Sequence, residues 1–448
     1  MKTLYTFAIT LLFFVSSNIT FCQNLPHTLT NSEKAIYNNY ILNSSSRTAT
    51  TAFTTPPNSD VRCMAEWEEL QGLLITWTSF TGMLSEITRE AKKECRVYIV
   101  TTNQTSTINT LAANGVDTTN ITFINTAYNS VWSRDYGPWS VYTNDVDSLL
   151  IIDWIYNRPR PADDVIPVTI ANAINAPLYQ TTTAPWNLVH TGGNFMADGM
   201  GTGFSSKLLL NENPGKTEAD IDNIMLEFMG IGQYIKMDNL PYDVIHHIDM
   251  HMKLLDEETI LMGEYPTGVA DGPQIEANLL YVLNNFNSPF GTPYKVIRVP
   301  MPPSITGQYP NNGGHYYTHT NSVIVNKTVL VPVYNLPSDS IALATYKEAM
   351  PGYNIVGINS NASIPSLGAI HCINKEIGTS DPLLIVHNDL ENTYDDSNPY
   401  LVNATIKHRS GIAGATLWYR TDTINPYQSI AMVLSNPGTD NWSASIPA

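Results

Sequence analysis

From residue 62 onward, short runs of consecutive apolar residues alternate with stretches in which apolar positions recur every three or four residues. Residues 72–77 (Gly-Leu-Leu-Ile-Thr-Trp) read as a buried strand, 81–95 as an amphipathic helix and 97–102 as a second strand. The same signals predict strands over 148–156, 259–264, 295–299, 322–333 and 354–358, and helices over 218–230, 273–285 and 340–350. Gly and Pro fall between these segments as turn punctuation, and no repeat is visible by residue identity. Strands alternating with helices predict an α/β domain over residues 59–392.

Beyond Asp395-Asp396-Ser397-Asn398-Pro399 the periodicity changes to plain alternation over 401–406, 415–420, 429–435 and 442–446. Four short strands without helices predict an all-β unit over 399–448. A β-sandwich takes about seven strands in about 100 residues, so this stretch is expected to be part of one, with the natural chain continuing.

The other end has two segments of different character. Lys2, an apolar run over 4–15, and small residues at Thr20 and Cys22 predict a signal peptide over 1–22 cut after Cys22. The run is too short for a membrane span, which needs about 20 apolar residues, and no later stretch is long and apolar enough. Phe21 disfavours a lipid anchor on Cys22. Residues 23–58, rich in Ser, Thr, Asn and Pro, read as a tether or prosegment, with order beginning near Arg62.

Composition narrows the function classes. The 448 residues carry 40 Asp+Glu against 23 Lys+Arg, a net charge of −17, which argues against a nucleic-acid partner. A hydrophobic fraction of 43% supports a substantial core, while charged residues at 14% leave surface polarity to Asn, Ser and Thr, as suits an exported protein. Once Cys22 leaves with the leader, Cys63, Cys95 and Cys372 remain, so a disulfide framework is excluded and at least one thiol stays free.

Four clusters carry candidate chemistry: Trp132-Ser133-Arg134-Asp135-Tyr136-Gly137-Pro138-Trp139, His246-His247-Ile248-Asp249-Met250-His251, Asn311-Asn312-Gly313-Gly314-His315 followed by Thr320-Asn321-Ser322, and Ile370-His371-Cys372. One Cys with a distant His and Asn is the pattern of a covalent thiolate catalyst. Alternatively, on a strand His247, Asp249 and His251 share a face and form a weak metal-ligand set.

The motifs Ala65-Glu66-Trp67-Glu68, Trp132-x-Arg134-Asp135-x-Gly137-Pro138, Gly192-Gly193-Asn194, His247-x-Asp249 and Cys372, in that order, resemble the guanidine-modifying (pentein) superfamily that includes agmatine deiminase and the bacterial, Porphyromonas-type peptidylarginine deiminases. The resemblance implies a five-bladed ββαβ α/β-propeller around a central channel, and a reaction needing no metal or other cofactor. It implies Asp135 and Asp249 as the carboxylates that hold a guanidinium, Cys372 as nucleophile, His247 as proton donor and acceptor, and Asn321 as a polar residue arranging the reacting groups. Trp132 is expected along the substrate's aliphatic stem and Asp198 beside the pocket. It further implies that residues 399–448 begin an immunoglobulin-like domain.

Substrate choice is expected to rest on Asn157-Arg158-Pro159-Arg160-Pro161. Two Pro residues stiffen the backbone and align Arg158 and Arg160, and a pair of guanidinium forks receives a carboxylate. Matching arginines bind the α-carboxylate of a C-terminal Arg in the peptidylarginine branch. The bland reading pairs them with Asp163 and Asp164. One departure is Val244, where that branch carries Tyr. The expected activity is conversion of peptidyl arginine, preferably C-terminal, to citrulline and ammonia, with arginine-containing peptides or proteins, and free arginine, as partners. The rivals are an agmatine deiminase and a catalytically idle surface-binding relative; the expected location is secreted or surface-attached.

Overall fold

The computed structural model describes residues 25–422, 424–436 and 438–448, so the expected signal peptide lies outside the described residues. Its α/β part is built from one local plan used five times. In the simplest instance the strand Thr202–Ser206 has Met196–Ala197 antiparallel on one side and Gln233–Met237 parallel on the other, with helix Glu218–Met229 crossing over between the parallel pair. Met252–Leu254, Thr259–Glu264 and Lys295–Pro300 repeat this arrangement around helix Gly272–Asn285. Val323–Val325, Thr328–Val333 and Asn354–Asn359 repeat it around Pro337–Ala349. In the fourth, Trp139–Thr143 and Leu178–Thr181 flank Leu149–Tyr156, with Ile166–Ile174 between the parallel strands and Val61–Cys63 added at the edge.

The fifth sheet joins the two ends of the region. Asn374–Gly378 runs antiparallel to Leu70–Thr76, which pairs in parallel with Arg96–Thr101 across helix Thr81–Ala91, and Ile121–Asn125 completes the sheet. A parallel pair needs a crossover of a dozen or more residues, which is why each unit contains a helix. The helix covers one face and neighbouring sheets cover the other, so central strands such as Leu149–Tyr156 are buried at every position. That burial is the source of the consecutive apolar runs in the sequence.

Most expected elements fall within a few residues of those observed. The run over 322–333 is instead a hairpin, turned at Asn326-Lys327 with Asn326 in the left-handed region at φ 50°. The Asn326 side chain accepts from the Leu70 amide at 2.8 Å and donates to the carbonyls of Leu70 (3.1 Å) and Glu94 (3.0 Å), tying one sheet to the next.

Two boundaries differ from expectation. Residues 31–42 form a helix whose N-terminus carries a reciprocal capping box between Thr30 and Glu33, so order precedes Arg62 and the tether reading of 25–58 is corrected. Its contacts are polar, which an apolar-pattern search does not register. At the far end the four expected strands appear as Tyr400–Lys407, Ala415–Tyr419, Gln428–Leu434 and Asn441–Ile446, but the antiparallel sheet also takes in Leu384–Val386. The all-β unit therefore begins before residue 392, and among the described residues it is one five-stranded sheet. Among the described residues no helix is long and apolar enough to cross a membrane.

Replacing Asn326 by Ala removes three hydrogen bonds and the side chain that best tolerates its backbone geometry. An Asn326→Ala chain is expected to lose about 1–3 kcal/mol of stability, seen as a lower urea midpoint with an unchanged slope; an unmoved midpoint would refute the tie.

Candidate active site

Each of the five units opens with a turn just ahead of its first strand, and these turns hold the chemistry. Asp135 lies in the short helix Ser133–Tyr136 before Trp139–Thr143, and Gly192–Asn194 forms a 3-10 turn before Met196–Ala197. His247 caps the 3-10 turn Ile248–Met250, which contains Asp249 and precedes Met252–Leu254. Asn321 precedes Val323–Val325, and Cys372 sits in the turn His371–Ile373 before Asn374–Gly378. Residues from four different units are thereby gathered around one thiol.

Asn321 organises the thiol turn. Its Nδ2 donates to Cys372 Sγ at 3.2 Å, and its Oδ1 accepts from the amides of Ala369 (3.1 Å) and Cys372 (3.4 Å). Asp249 Oδ2 stands 3.8 Å from Sγ. His247 Nδ1 lies 3.6 Å from Asp135 Oδ1, and its Nε2 is 3.5 Å from Thr191 Oγ1. Cys372, Asp135, Asp249 and His247 are all buried. Among the described residues Asp135 Oδ1, Asp249 Oδ1 and His247 Nδ1 have no hydrogen-bond partner. Such atoms are costly to bury, and they are the positions in this pocket still open to a hydrogen-bond partner.

Two glycines keep that pocket clear. A Cβ on Gly193 would lie 2.4 Å from His247 Nδ1 and 3.1 Å from Asp135 Oδ1. A Cβ on Gly368 would meet Trp132 Cζ3 at 2.5 Å and Cys372 Sγ at 3.1 Å, which puts the Trp132 ring beside the thiol.

Burial, reinforced by the negative charges of Asp249 and Asp135, pushes the Cys372 thiol well above its usual range. Burial also drives His247 down to about 4, the nearby Asp135 opposing it only in part. Asp135 is held below the ordinary carboxylate range; burial works against this, but His27, His247 and Arg158 outweigh it. At neutral pH the pocket thus pairs a protonated thiol with a neutral imidazole. A cation seated among these groups would favour the thiolate.

Several expectations need correction. His247, Asp249 and His251 are not on a strand, because the backbone coils into a 3-10 turn there and the alternation is lost. The His and carboxylate ligand atoms that do converge belong to His27, Asp135 and His247, within 4.8 Å of one another. The Asp198 Oδ1 accepts from the amides of Met200 and Thr202 and shapes that turn. Arg134 does not pair with Asp135 but with Glu376 at 2.7 Å.

Arg158 and Arg160 avoid the bland pairing. Asp163 accepts from the amides of Asn129 and Ser130, and Asp164 pairs with Arg47 at 2.9 Å. The backbone bends at 157–159 rather than running extended. Both guanidinium groups nevertheless reach one segment, with Arg158 Nε donating to the His27 carbonyl (3.2 Å) and Arg160 Nε to Glu33 Oε1 (2.7 Å).

Sequence reasoning missed two participants. His371 bridges Asp249 Oδ2 and Glu66 Oε2, each at 2.7 Å, and Lys253 Nζ reaches Glu66 Oε1 at 2.5 Å, a buried chain that fixes the Asp249 carboxylate. The adjacency of His371 to Cys372 and the Ala65-Glu66-Trp67-Glu68 motif were its available signals. The other is His27, whose Nε2 lies 2.7 Å from Asp135 Oδ2 and whose ring stacks on Trp132 at 3.9 Å and 4°.

The profile of the Porphyromonas-type peptidyl-arginine deiminases matches residues 62–377, which include Asp135, His247, Asp249, Asn321 and Cys372. The chain belongs to that family. A Lactococcus lactis protein named "Putative agmatine deiminase" is 27% identical over 282 residues, covering 55% of this chain and 74% of that protein. The solved structure of the Enterococcus faecalis agmatine deiminase aligns with a TM-score of 0.61 at 19% identity, over 72% of this chain and 97% of that one. A Porphyromonas gingivalis structure titled "Putative Arginine Deiminase" aligns at 0.64 and 20%, over 71% and 99%. At these identities the two structures speak for the α/β fold. As a member of the peptidyl-arginine deiminase family, the chain is a hydrolase of amidine C–N bonds that deiminates a guanidine group.

For this deiminase, Gly193→Ala is expected to reduce kcat at least 100-fold, since displacing a reacting group by about 1 Å costs that much. Measuring ammonia release from guanidine substrates together with thermal unfolding checks it: activity within a few-fold of the unmutated chain would show that the space above His247 is not needed.

Proposed function

We propose that the protein is an exported peptidylarginine deiminase acting by covalent catalysis at Cys372. The five repeated units are read as the blades of a closed α/β-propeller, whose leading turns line a central channel. The guanidinium lies between Asp135 and Asp249, each carboxylate accepting N–H bonds from one edge, with the side-chain stem against Trp132. On binding, Cys372 gives up its proton to His247 and the thiolate attacks the guanidinium carbon. His247 passes that proton to a departing nitrogen, so the C–N bond breaks and ammonia leaves, giving an S-alkylthiouronium on the enzyme. His247 then takes a proton from water, which adds to the same carbon; the C–S bond breaks, and the ureido product and thiol are released. Asn321 and the His371–Glu66 pair hold Cys372 and Asp249 in position.

The substrate reading rests on one observation: two buried arginines next to Asp135 and Trp132 grip a carboxylate and peptide carbonyls of residues 26–33. That chemistry supports a peptidyl substrate with a C-terminal carboxylate, with free arginine also accepted. Agmatine has no carboxylate. A relative named as an agmatine deiminase supports the second reading, agmatine turnover. Export is proposed from the leader pattern over 1–22.

Comparing kcat/KM for a peptide ending in Arg, a peptide with internal Arg, and agmatine tests the proposal. The C-terminal Arg peptide is expected to lead, and Arg158→Ala with Arg160→Ala is expected to lower the peptide-to-agmatine ratio at least tenfold, while Cys372→Ala abolishes every turnover. A ratio untouched by the double substitution would favour the agmatine reading, and turnover surviving without the thiol would end the covalent mechanism.

A further inference from the structure

The channel is already occupied by part of the chain itself. The amide of Leu25 donates to the Asn129 carbonyl at 3.2 Å and the Leu25 carbonyl accepts from Trp132 Nε1 at 3.1 Å. The carbonyls of Pro26 and Thr28 accept from Arg160 Nη2 at 2.6 and 3.3 Å, and that of His27 from Arg158 Nε at 3.2 Å. Four successive carbonyls, 25 to 28, are thus held by the residues expected to hold a peptide.

The side chains reproduce a substrate's polar groups. His27, 1% exposed, lies flat on Trp132, points Nε2 at Asp135 Oδ2 and Nδ1 at the Leu367 carbonyl, each at 2.7 Å. Each ring nitrogen faces an acceptor, so the flat ring lies where two N–H groups of a planar guanidinium would be accepted. Glu33 supplies the carboxylate to Arg160 at 2.7 Å. The N–C–N carbon of an imidazole carries no exocyclic amino group and its C–N bonds belong to an aromatic ring, so a thiolate there has no nitrogen to expel.

The rest of the segment is anchored outside the pocket. Ser44 Oγ donates to the Thr182 carbonyl at 3.1 Å, Arg47 pairs with Asp164 at 2.9 Å and stacks on Tyr40, and the Ala49 amide donates to Gln180 Oε1 at 2.7 Å. With the segment in place Cys372 is fully buried. The segment also lies outside residues 62–377, the stretch matched to the deiminase family.

We propose that residues 25–47 are a pseudosubstrate bound in the peptide site of the channel, which keeps the deiminase latent until they are displaced or cut away. The inference rests on reading the site as a receptor for peptidyl guanidines.

The test uses the full chain in three forms: unmutated, His27→Ala with Glu33→Gln, and unmutated with a site-specific protease sequence inserted at the exposed Asn58–Ser59 junction. Two readouts are taken, alkylation of Cys372 by 2-chloroacetamidine followed by mass spectrometry, and citrulline release. The doubly substituted chain, and the cut chain freed of its segment by gel filtration, are expected to alkylate at least ten times faster than the uncut chain and to gain deimination in the same proportion. A synthetic peptide of residues 25–47 should suppress both, and its His27→Ala version should bind at least tenfold more weakly. Faster alkylation with no deimination of any guanidine would keep the plug and remove the functional reading. Equal alkylation and equal turnover in all three forms would overturn the plug and leave the functional reading intact.

Discussion

Two carboxylates and an imidazole are buried around one thiol; one oxygen of each carboxylate, Asp135 Oδ1 and Asp249 Oδ1, has no hydrogen-bond partner among the described residues, and the rest of the site follows from that. An isolated buried carboxylate is expensive, and the nearby basic groups are committed elsewhere: Arg134 to Glu376 and the His371 carbonyl, Lys253 to Glu66. The remaining demand for positive charge can be met by a ligand. A planar, always-charged guanidinium meets it from two edges at once and in doing so lowers the free energy of the thiolate. On the proposed mechanism, substrate binding and nucleophile activation are one electrostatic event, so a thiol pushed upward in the resting pocket is compatible with catalysis.

The fold delivers this cluster by repetition. Each unit contributes a turn immediately before its first strand, and turns that sit against one another leave side chains pointing into shared space. Bends rather than strands are required, since a strand would send His247 and its neighbours to alternate faces. His246, at φ 55°, takes up the left-handed backbone conformation just before His247, a strain of about 1–3 kcal/mol that the surrounding contacts must offset. Gly193 and Gly368 matter for the opposite reason: the space above them is where the reacting groups must meet.

Much of this was legible in the residues. Continuous apolar runs marked the central strands because those strands are covered on both faces, and the spacing of the helices followed from the crossovers. The repeat itself was hidden, because what recurs is connectivity and burial while residue identity is free to vary. Asp135, His247, Asp249, Asn321 and Cys372 stood out as motifs, and the fold brings them near one another. His27 and Glu33 were invisible for a different reason: periodicity searches detect apolar burial, and this segment is held through hydrogen bonds and ion pairs.

That polar anchoring sets how the segment and the substrate compete. A tethered ligand acts at an effective concentration on the order of millimolar, so even a modest intrinsic affinity keeps the channel filled against dilute peptides. Apart from the His27 ring stacked on Trp132, the contacts in the pocket are ion pairs and carbonyl hydrogen bonds, so release exposes groups that water solvates well, and the opening cost is below that of unpacking a hydrophobic core. Arg158 and Arg160 serve both states, gripping the resident segment before release and, on the reading above, the substrate backbone after it. On the two proposals, selectivity for peptides and latency are consequences of the same pair of guanidinium groups, and weakening the latch by changing them would weaken the receptor as well. A change confined to the segment, at His27 or Glu33, separates the two.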